Sequence, residues 1–163
     1  MKLSIIIPCF NEEKTIEILL FKVLNLDLRP IEKEIIVVDD GSFDRTREIL
    51  KKFIFFKEIK ILFHKRNFGK GEAIKTALKF VSGDYVIIQD ADLEYNVDDI
   101  KEMVNFVIKN NLDVLYGPRN LKKNPRSSLI FHLGGKFLTF FTNFLYGSNL
   151  TDEATCYKLI KTD

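Results

Sequence analysis

Short apolar runs alternate along the chain with segments of helical periodicity. Leu3–Ile7 is a largely apolar run stopped by Pro8, and it reads as a buried strand. From Glu12 to Leu24, the residues Ile16, Leu19, Leu20, Val23 and Leu24 fall on one helical face, with Asn11 placed as the N-cap. The alternation then repeats. A strand at Glu34–Val38 precedes a helix at Asp44–Phe53 that turns Ile49, Leu50 and Phe53 inward. A strand at Ile59–Phe63 precedes a helix at Gly71–Phe80 with Ile74, Ala77 and Leu78 inward. A fourth strand, Tyr85–Ile88, precedes a helix capped by Asn96, with Val97, Ile100, Val104, Val107 and Ile108 facing the core. Val114–Tyr116 reads as a short fifth strand.

Strands that are apolar without alternation are buried on both faces, which makes the sheet mainly parallel and the helices its two covers. Right-handed crossovers then give an α/β, Rossmann-like, doubly wound layer. Ligands in such layers bind beyond the carboxyl ends of the strands. Four polar clusters fall on that edge: Pro8-Cys9-Phe10-Asn11-Glu12, Asp39-Asp40-Gly41-Ser42, Arg66 to Gly71, and Asp90-Ala91-Asp92.

Composition changes this picture little. The 163 residues suit one domain, and 46% hydrophobic content allows a packed core. With Lys and Arg numbering 25 against 23 Asp and Glu, a net charge of +2 speaks against a nucleic-acid binder that works by bulk charge. The two cysteines, Cys9 and Cys156, have neither CxxC nor disulfide-framework spacing, so a reducing cytoplasm is the expected setting. The opening MKLSIII is too short for a signal-peptide core, and no run of 18 apolar residues suggests a spanning helix.

The candidate chemistry lies at the carboxyl edge. Asp90, Asp92 and Glu94 form a DXD-type acidic turn whose hard oxygens suit Mg²⁺ or Mn²⁺ shared with a substrate phosphate; the plainer reading is a solvated turn before a helix. Asp39 and Asp40 suit a nucleobase or ribose hydroxyl, or equally a turn and helix cap. Lys70, within Asn67-Phe68-Gly69-Lys70-Gly71, is placed to meet a diphosphate at a helix start, although neither a GxxxxGK[ST] nor a GxGxxG motif is present. Cys9 reads as packing rather than nucleophile. His64 and His132 read as structural or surface groups, and no Ser-His-Asp set or GxSxG elbow stands out. Beyond Pro118 comes a basic loop with Arg119, Lys122, Lys123 and Arg126, then a Phe-rich segment, Leu129–Tyr146. The loop is either a solvated turn or a phosphate clamp; the segment is either a core helix or an interfacial one.

Taken together, SIIIPCFNEEKTI, EIIVVDDGSFDRT, RNFGKGEAIKTAL, GDYVIIQDADLEY, YGPRN and LTDEATCYKLI occur in order over nearly the whole chain. They resemble the family 2 glycosyltransferases of GT-A fold, in particular the dolichyl- and polyprenyl-phosphate sugar transferases of the dolichol-phosphate mannose synthase type. The resemblance implies a metal-dependent transfer, with inversion, from a GDP- or UDP-sugar to a polyprenyl or dolichyl phosphate. Pro8, Phe10 and Glu12 would line the nucleotide pocket, and Asp40 with Asp39 would hold base and ribose. Asp90 and Ala91 would meet the nucleotide-sugar, while Asp92 and Glu94 would ligate Mg²⁺ or Mn²⁺. Arg119 and Arg126 would face the acceptor phosphate. The catalytic set would be Asp90, Asp92 and Arg119. Residues 1–117 would bind the donor, and 118–163 would face acceptor and membrane, at the cytoplasmic surface. A saccharide hydroxyl acceptor with Asp152 or Glu153 as base, or a non-catalytic nucleotide-binding or membrane-recruitment module, are the alternatives. Val97 stands where relatives often have Pro, GPR replaces GSR, and DEATCYK replaces DMETCYK. The family's catalytic domains extend beyond the point matching Asp163, so the chain reads as one catalytic domain truncated at its C-terminus.

Overall fold

The computed structural model describes residues 1–117, 129–151, 153 and 155–162, and within the last helix it describes side chains from residue 134 onward. The strands are β1 (Lys2–Cys9), β2 (Glu32–Asp39), β3 (Ile59–Phe63), β4 (Tyr85–Ile88), β5 (Val114–Tyr116) and β6 (Lys158–Lys161). The helices are α1 (Ile16–Asn25), α2 (Thr46–Lys51), α3 (Lys70–Leu78), α4 (Asp99–Asn110) and α5 (Leu129–Tyr146). They build one six-stranded sheet in the order β3-β2-β1-β4-β6-β5. The four strands β3, β2, β1 and β4 are mutually parallel, and β6 runs antiparallel between β4 and β5.

The two-sided burial expected of the strands is present. Leu3, Ile5, Ile7, Ile35, Val37 and Ile87 pack on one face with α1, α2 and α4, through Ile16, Leu19, Leu20, Leu50, Ile100 and Val104. The alternate residues Ile6, Ile36, Val38 and Val86 pack on the other face with Ala73 and Ala77 of α3. Successive strand residues point to opposite faces, so a strand with a cover on each side must be apolar throughout. A fully buried Ile or Leu contributes about 1.5–3 kcal/mol.

Several sequence expectations need correction. The first strand does not stop at Pro8, which pairs with Val38 and is followed by Cys9 opposite Asp39. The Gln89 N–H bonds to the Ile6 carbonyl and the Asp40 N–H to that of Cys9, so alternate residues of β1 address opposite neighbours. The side of Pro8 that lacks an N–H faces β4, which has ended at Ile88, so no ladder bond is lost. Asn11 is not the N-cap of α1. That place belongs to Thr15, while Asn11 adopts φ 56° in the preceding loop. Asn96 likewise precedes the real N-cap, Asp98. Leu78 and Ile108 are exposed, because α3 ends at Leu78 and the buried row of α4 runs through Ile100, Met103, Val104 and Val107. The sheet is mainly parallel, as expected, with the antiparallel β6 separating β4 from β5.

Candidate active site

The chain leaves β1 to build β2 and β3 on one side and returns as β4 on the other. Loops at the carboxyl ends of β1 and β4 must diverge there, which opens a crevice. A cavity of about 310 Å³ lies at this point, lined from β1 and its loop by Pro8, Cys9, Phe10 and Glu12. Asp40 enters from β2, Asn67, Lys70 and Ala73 from the start of α3, and Asp90, Ala91 and Asp92 from the end of β4.

The two acids at the end of β2 part company. Asp39 shares its face with Ile35 and Val37, is fully buried, and receives the Arg47 guanidinium at 2.6 and 2.8 Å. It does not line the cavity with Asp40, because one step along a strand reverses the face. Asp40 is in the cavity wall and 3% exposed. Its carboxylate accepts from the Phe68 N–H at 3.0 Å and the Gly69 N–H at 2.8 Å, and it meets His64 Nδ1 at 2.7 Å. His64 Nε2 in turn lies 3.0 Å from Thr76 Oγ1. Asp40 thereby ties the loop before α3 to β2. Gly41 makes this approach possible: it has φ 76°, and a Cβ there would come within 2.4 Å of the Arg66 backbone.

The first loop is stapled to the same corner. The Asn11 N–H donates to Ser42 Oγ at 2.9 Å, and the Phe43 N–H to Asn11 Oδ1 at 3.0 Å. Thr15 Oγ1 donates to Glu12 Oε2 at 2.6 Å. Phe10 packs edge-on against the exposed Phe43, with ring centres 5.8 Å apart.

The acidic turn follows Gln89. Leu93 takes φ 63°, a costly conformation for a large side chain, and it is held by packing against the core. The Glu94 N–H donates to Asp92 Oδ1 at 3.0 Å, which is the one described hydrogen bond of that carboxylate. Asp90 is paired with Lys70, whose Nζ also lies 3.2 Å from Cys156 Sγ. Behind the turn, the buried Tyr157 hydroxyl contacts Gln89 Oε1 at 2.9 Å and the Asn96 carbonyl at 3.0 Å. The Cys156 N–H donates to the Tyr95 hydroxyl at 3.1 Å. The segment leading into β6 therefore braces both ends of the acidic turn.

Charge states follow from these contacts. Asp92 is exposed overall, yet desolvation of its carboxyl by the crowded turn first, then the charges of Glu94 and Asp90, push it above its ordinary range, although the Glu94 N–H and Lys70 pull the other way. For Lys70, burial pulls downward but the Asp90 carboxylate outweighs it, leaving the ammonium above its ordinary value. Burial drives the Cys9 thiol far up, with Asp39 and Glu12 adding to it, so Cys9 is a packing group and not a nucleophile.

Among the described residues, no group of three or more His, Cys, Asp or Glu side chains is arranged to hold a metal by itself. Magnesium-type ions take one or two carboxylates and complete their shell with substrate phosphate and water, and the acids on this turn fit that shared mode. Glu94 is exposed and outside the cavity wall. Arg119, Lys122, Lys123, Arg126 and Asp152 lie outside the described residues, as does the side chain of His132. Sequence reasoning did not single out Arg47, Tyr95, Gln89 or Tyr157, and it left His64 unassigned. A buried tyrosine needs a hydroxyl partner, but its partner lies 68 positions away.

The profile of the family described as glycosyl transferase family 2 matches residues 4–163. A dolichol-phosphate mannosyltransferase of Pyrococcus furiosus is 34% identical over 122 residues, covering 75% of this chain and 34% of that protein. The poly(ribitol-phosphate) beta-N-acetylglucosaminyltransferase TarS of Staphylococcus aureus is 34% identical over 116 residues, covering 71% of this chain and 20% of TarS. A crystal structure of TarS 1–349 with UDP superposes with a TM-score of 0.70 at 26% identity, over 99% of this chain and 47% of that one. The mannosyltransferase PcManGT of Pyrobaculum calidifontis, in complex with GDP-Man and Mn²⁺, gives a TM-score of 0.60 at 25% identity, over 74% of this chain and 37% of that one. The chain thus spans about a third or less of the two curated relatives named here.

Proposed function

The chain belongs to glycosyl transferase family 2, and from that premise we propose that it moves a sugar from a GDP- or UDP-sugar onto a polyprenyl or dolichyl phosphate. The observation that carries the donor half is the cavity at the switch point, where Pro8, Phe10, Glu12, Asp40, Lys70, Asp90, Ala91 and Asp92 share one wall. Phe10 offers an apolar face for a base, Asp90 and Ala91 border the sugar diphosphate, and Lys70 meets its phosphates. Asp92 with Glu94 would hold Mg²⁺ or Mn²⁺, and such an ion offsets charge gathering on the departing nucleoside diphosphate.

Transfer forms a bond from an acceptor phosphate oxygen to the anomeric carbon. The bond from that carbon to the diphosphate oxygen breaks, and the diphosphate leaves with the electron pair, inverting the centre. A phosphate monoester with a second pKa of about 6 is already anionic at neutral pH. It needs cationic positioning rather than a general base, a task that suits Arg119 and Arg126. A lipid acceptor also calls for a membrane surface. The exposed Phe137, Phe140, Phe141 and Phe144 of α5 suit an interfacial role at the cytoplasmic face, and among the described residues no helix is long and apolar enough to cross a membrane.

A hydroxyl acceptor is the second reading, supported by a match to TarS at the same 34% identity. It would ask Asp152 or Glu153 to act as base, and Glu153 lies 3.9 Å from the Lys158 ammonium. The test is incubation with UDP- and GDP-sugars and Mn²⁺, offering polyprenyl phosphate or ribitol- and saccharide-type acceptors, with products identified by mass. Sugar on the lipid phosphate is the expected result, unaffected by Glu153→Gln. Transfer to hydroxyl acceptors alone would overturn the acceptor assignment, and donor binding without any turnover would favour a non-catalytic binding module.

A further inference from the structure

Lys70 is the one cation among the described residues of the cavity wall, which it shares with the carboxylates of Glu12, Asp40, Asp90 and Asp92. Two of those acids have other partners: Glu12 accepts from Thr15, and Asp40 from two backbone amides with His64 beside it. The Lys70 ammonium is instead committed to Asp90, with Cys156 Sγ on its other side. Lys70 is also the first residue of the nine-residue helix α3. A helix N-terminus repels a cation and attracts an anion, so this lysine occupies a place that favours a phosphate over itself.

These contacts leave the donor a problem of exchange. A divalent ion arriving at Asp92 meets a positive charge already resting on the neighbouring Asp90. A diphosphate arriving at α3 meets an ammonium whose charge is already satisfied. Only when metal and diphosphate come together do both conflicts resolve, with the ammonium passing from carboxylate to phosphate and the dication facing the freed turn. We infer that Lys70 is an exchangeable counter-ion, holding Asp90 until metal-bound nucleoside diphosphate displaces it and takes up its charge. The exchange makes metal and nucleotide binding mutually dependent, a coupling that must act equally in both directions. It rests on the donor-and-metal reading of the cavity, and it assigns Lys70 a second role beyond phosphate contact.

The test follows free Mn²⁺ by electron paramagnetic resonance, in titrations of the wild type, Lys70→Met, Lys70→Arg and Asp92→Asn, without nucleotide and with UDP or GDP. Lys70→Met should bind Mn²⁺ alone about fivefold more tightly, the scale of a partly exposed ion pair, yet bind it about fivefold less tightly with nucleotide present. Lys70→Arg should behave as wild type in both. If Lys70→Met leaves Mn²⁺ affinity without nucleotide unchanged or weaker, the exchange is overturned. In that case an Asp92→Asn loss of nucleotide-dependent Mn²⁺ binding would leave the site reading intact. Absence of nucleotide-dependent Mn²⁺ binding in the wild type would overturn both.

Discussion

Two acidic clusters at opposite ends of the sheet contain similar residues and reach opposite electrostatic outcomes. At the amino end, Glu34 is enclosed by the Lys2 ammonium at 2.5 Å, the Ser4 hydroxyl at 2.5 Å, and the N–H and hydroxyl of Ser82, each at 2.7 Å. Burial alone would raise this carboxyl, but the hydrogen bonds from Lys2, Ser4 and Ser82 outweigh it and hold the pKa at about 2. At the carboxyl end, Asp92 has a single described backbone donor, and its carboxyl is pushed upward. The first cluster has its positive charge built in. The second is answered only in part: Lys70 pairs with Asp90, Asp92 keeps one described donor, the Glu94 N–H, and strain at Leu93 accompanies it. A closed acid contributes to stability, whereas an open one is held at some cost to it.

The comparison is tested hardest by an acid that is closed although it stands on the open edge. Asp39 neighbours Asp40, yet it is fully buried against Arg47. Arg47→Met should lower unfolding free energy by about 3–5 kcal/mol in urea titrations, because it leaves a buried carboxylate without its cation, held among the described residues only by the Ser42 N–H at 3.2 Å. A loss no larger than that of a surface pair would mean Asp39 is not closed.

Next in size is Glu34→Gln, expected to cost about 1–2 kcal/mol at neutral pH through loss of charge-assisted bonds. Its pH dependence has a definite sign. Unfolded Glu titrates near ~4.3, so on acidification the unfolded chain takes the proton first. The Glu34 contribution is thus full above about pH 5 and is lost as pH falls toward the folded value of about 2. Denaturation curves across that range should show this acid-labile component in wild type and not in Glu34→Gln. Smaller again is Tyr157→Phe, which removes the hydroxyl contacts to Gln89 and Asn96 behind the acidic turn. It should cost about 1 kcal/mol, and nucleotide-dependent Mn²⁺ affinity should fall with it if the brace sets the turn.

What could be read from the sequence, and what could not, divides along physical lines. The apolar strands Ile5-Ile6-Ile7 and Ile35-Ile36-Val37-Val38 announced a sheet covered on both faces, and the packing has that form. The acids at the ends of β2 and β4 could be placed on one edge because parallel strands put all carboxyl ends together. Which of Asp39 and Asp40 faces the cavity depended on the strand's phase, which a run of apolar residues does not reveal. The antiparallel β6 has four residues, of which Leu159 alone is fully buried, too weak a pattern to fix a direction. The Tyr157 and His64 contacts join residues distant in sequence, and the Arg47–Asp39 pair spans a loop, where periodicity gives no signal. The basic residues Arg119 and Arg126 lie outside the described part of the chain.

The smallest stability effect and the largest functional one should coincide in Asp92→Asn. A carboxyl raised in the folded state binds its proton more tightly there than in the unfolded chain. Stability therefore falls as pH rises from the ordinary Asp value of about 3.9 through the folded one, the reverse of Glu34. Because Asp92 is exposed and its charge is screened by solvent, replacing it should leave the protein only slightly more stable at neutral pH. The most direct measurement is the melting temperature of wild type and Asp92→Asn at pH 7, with and without Mn²⁺ plus UDP or GDP. Ligand-free Asp92→Asn should melt at a higher temperature than wild type. Wild type at about a hundredfold ligand excess over Kd should gain about 2.7 kcal/mol, and Asp92→Asn should gain almost nothing. A ligand-free Asp92→Asn that melts below wild type, or a ligand-induced rise equal in both, would contradict it.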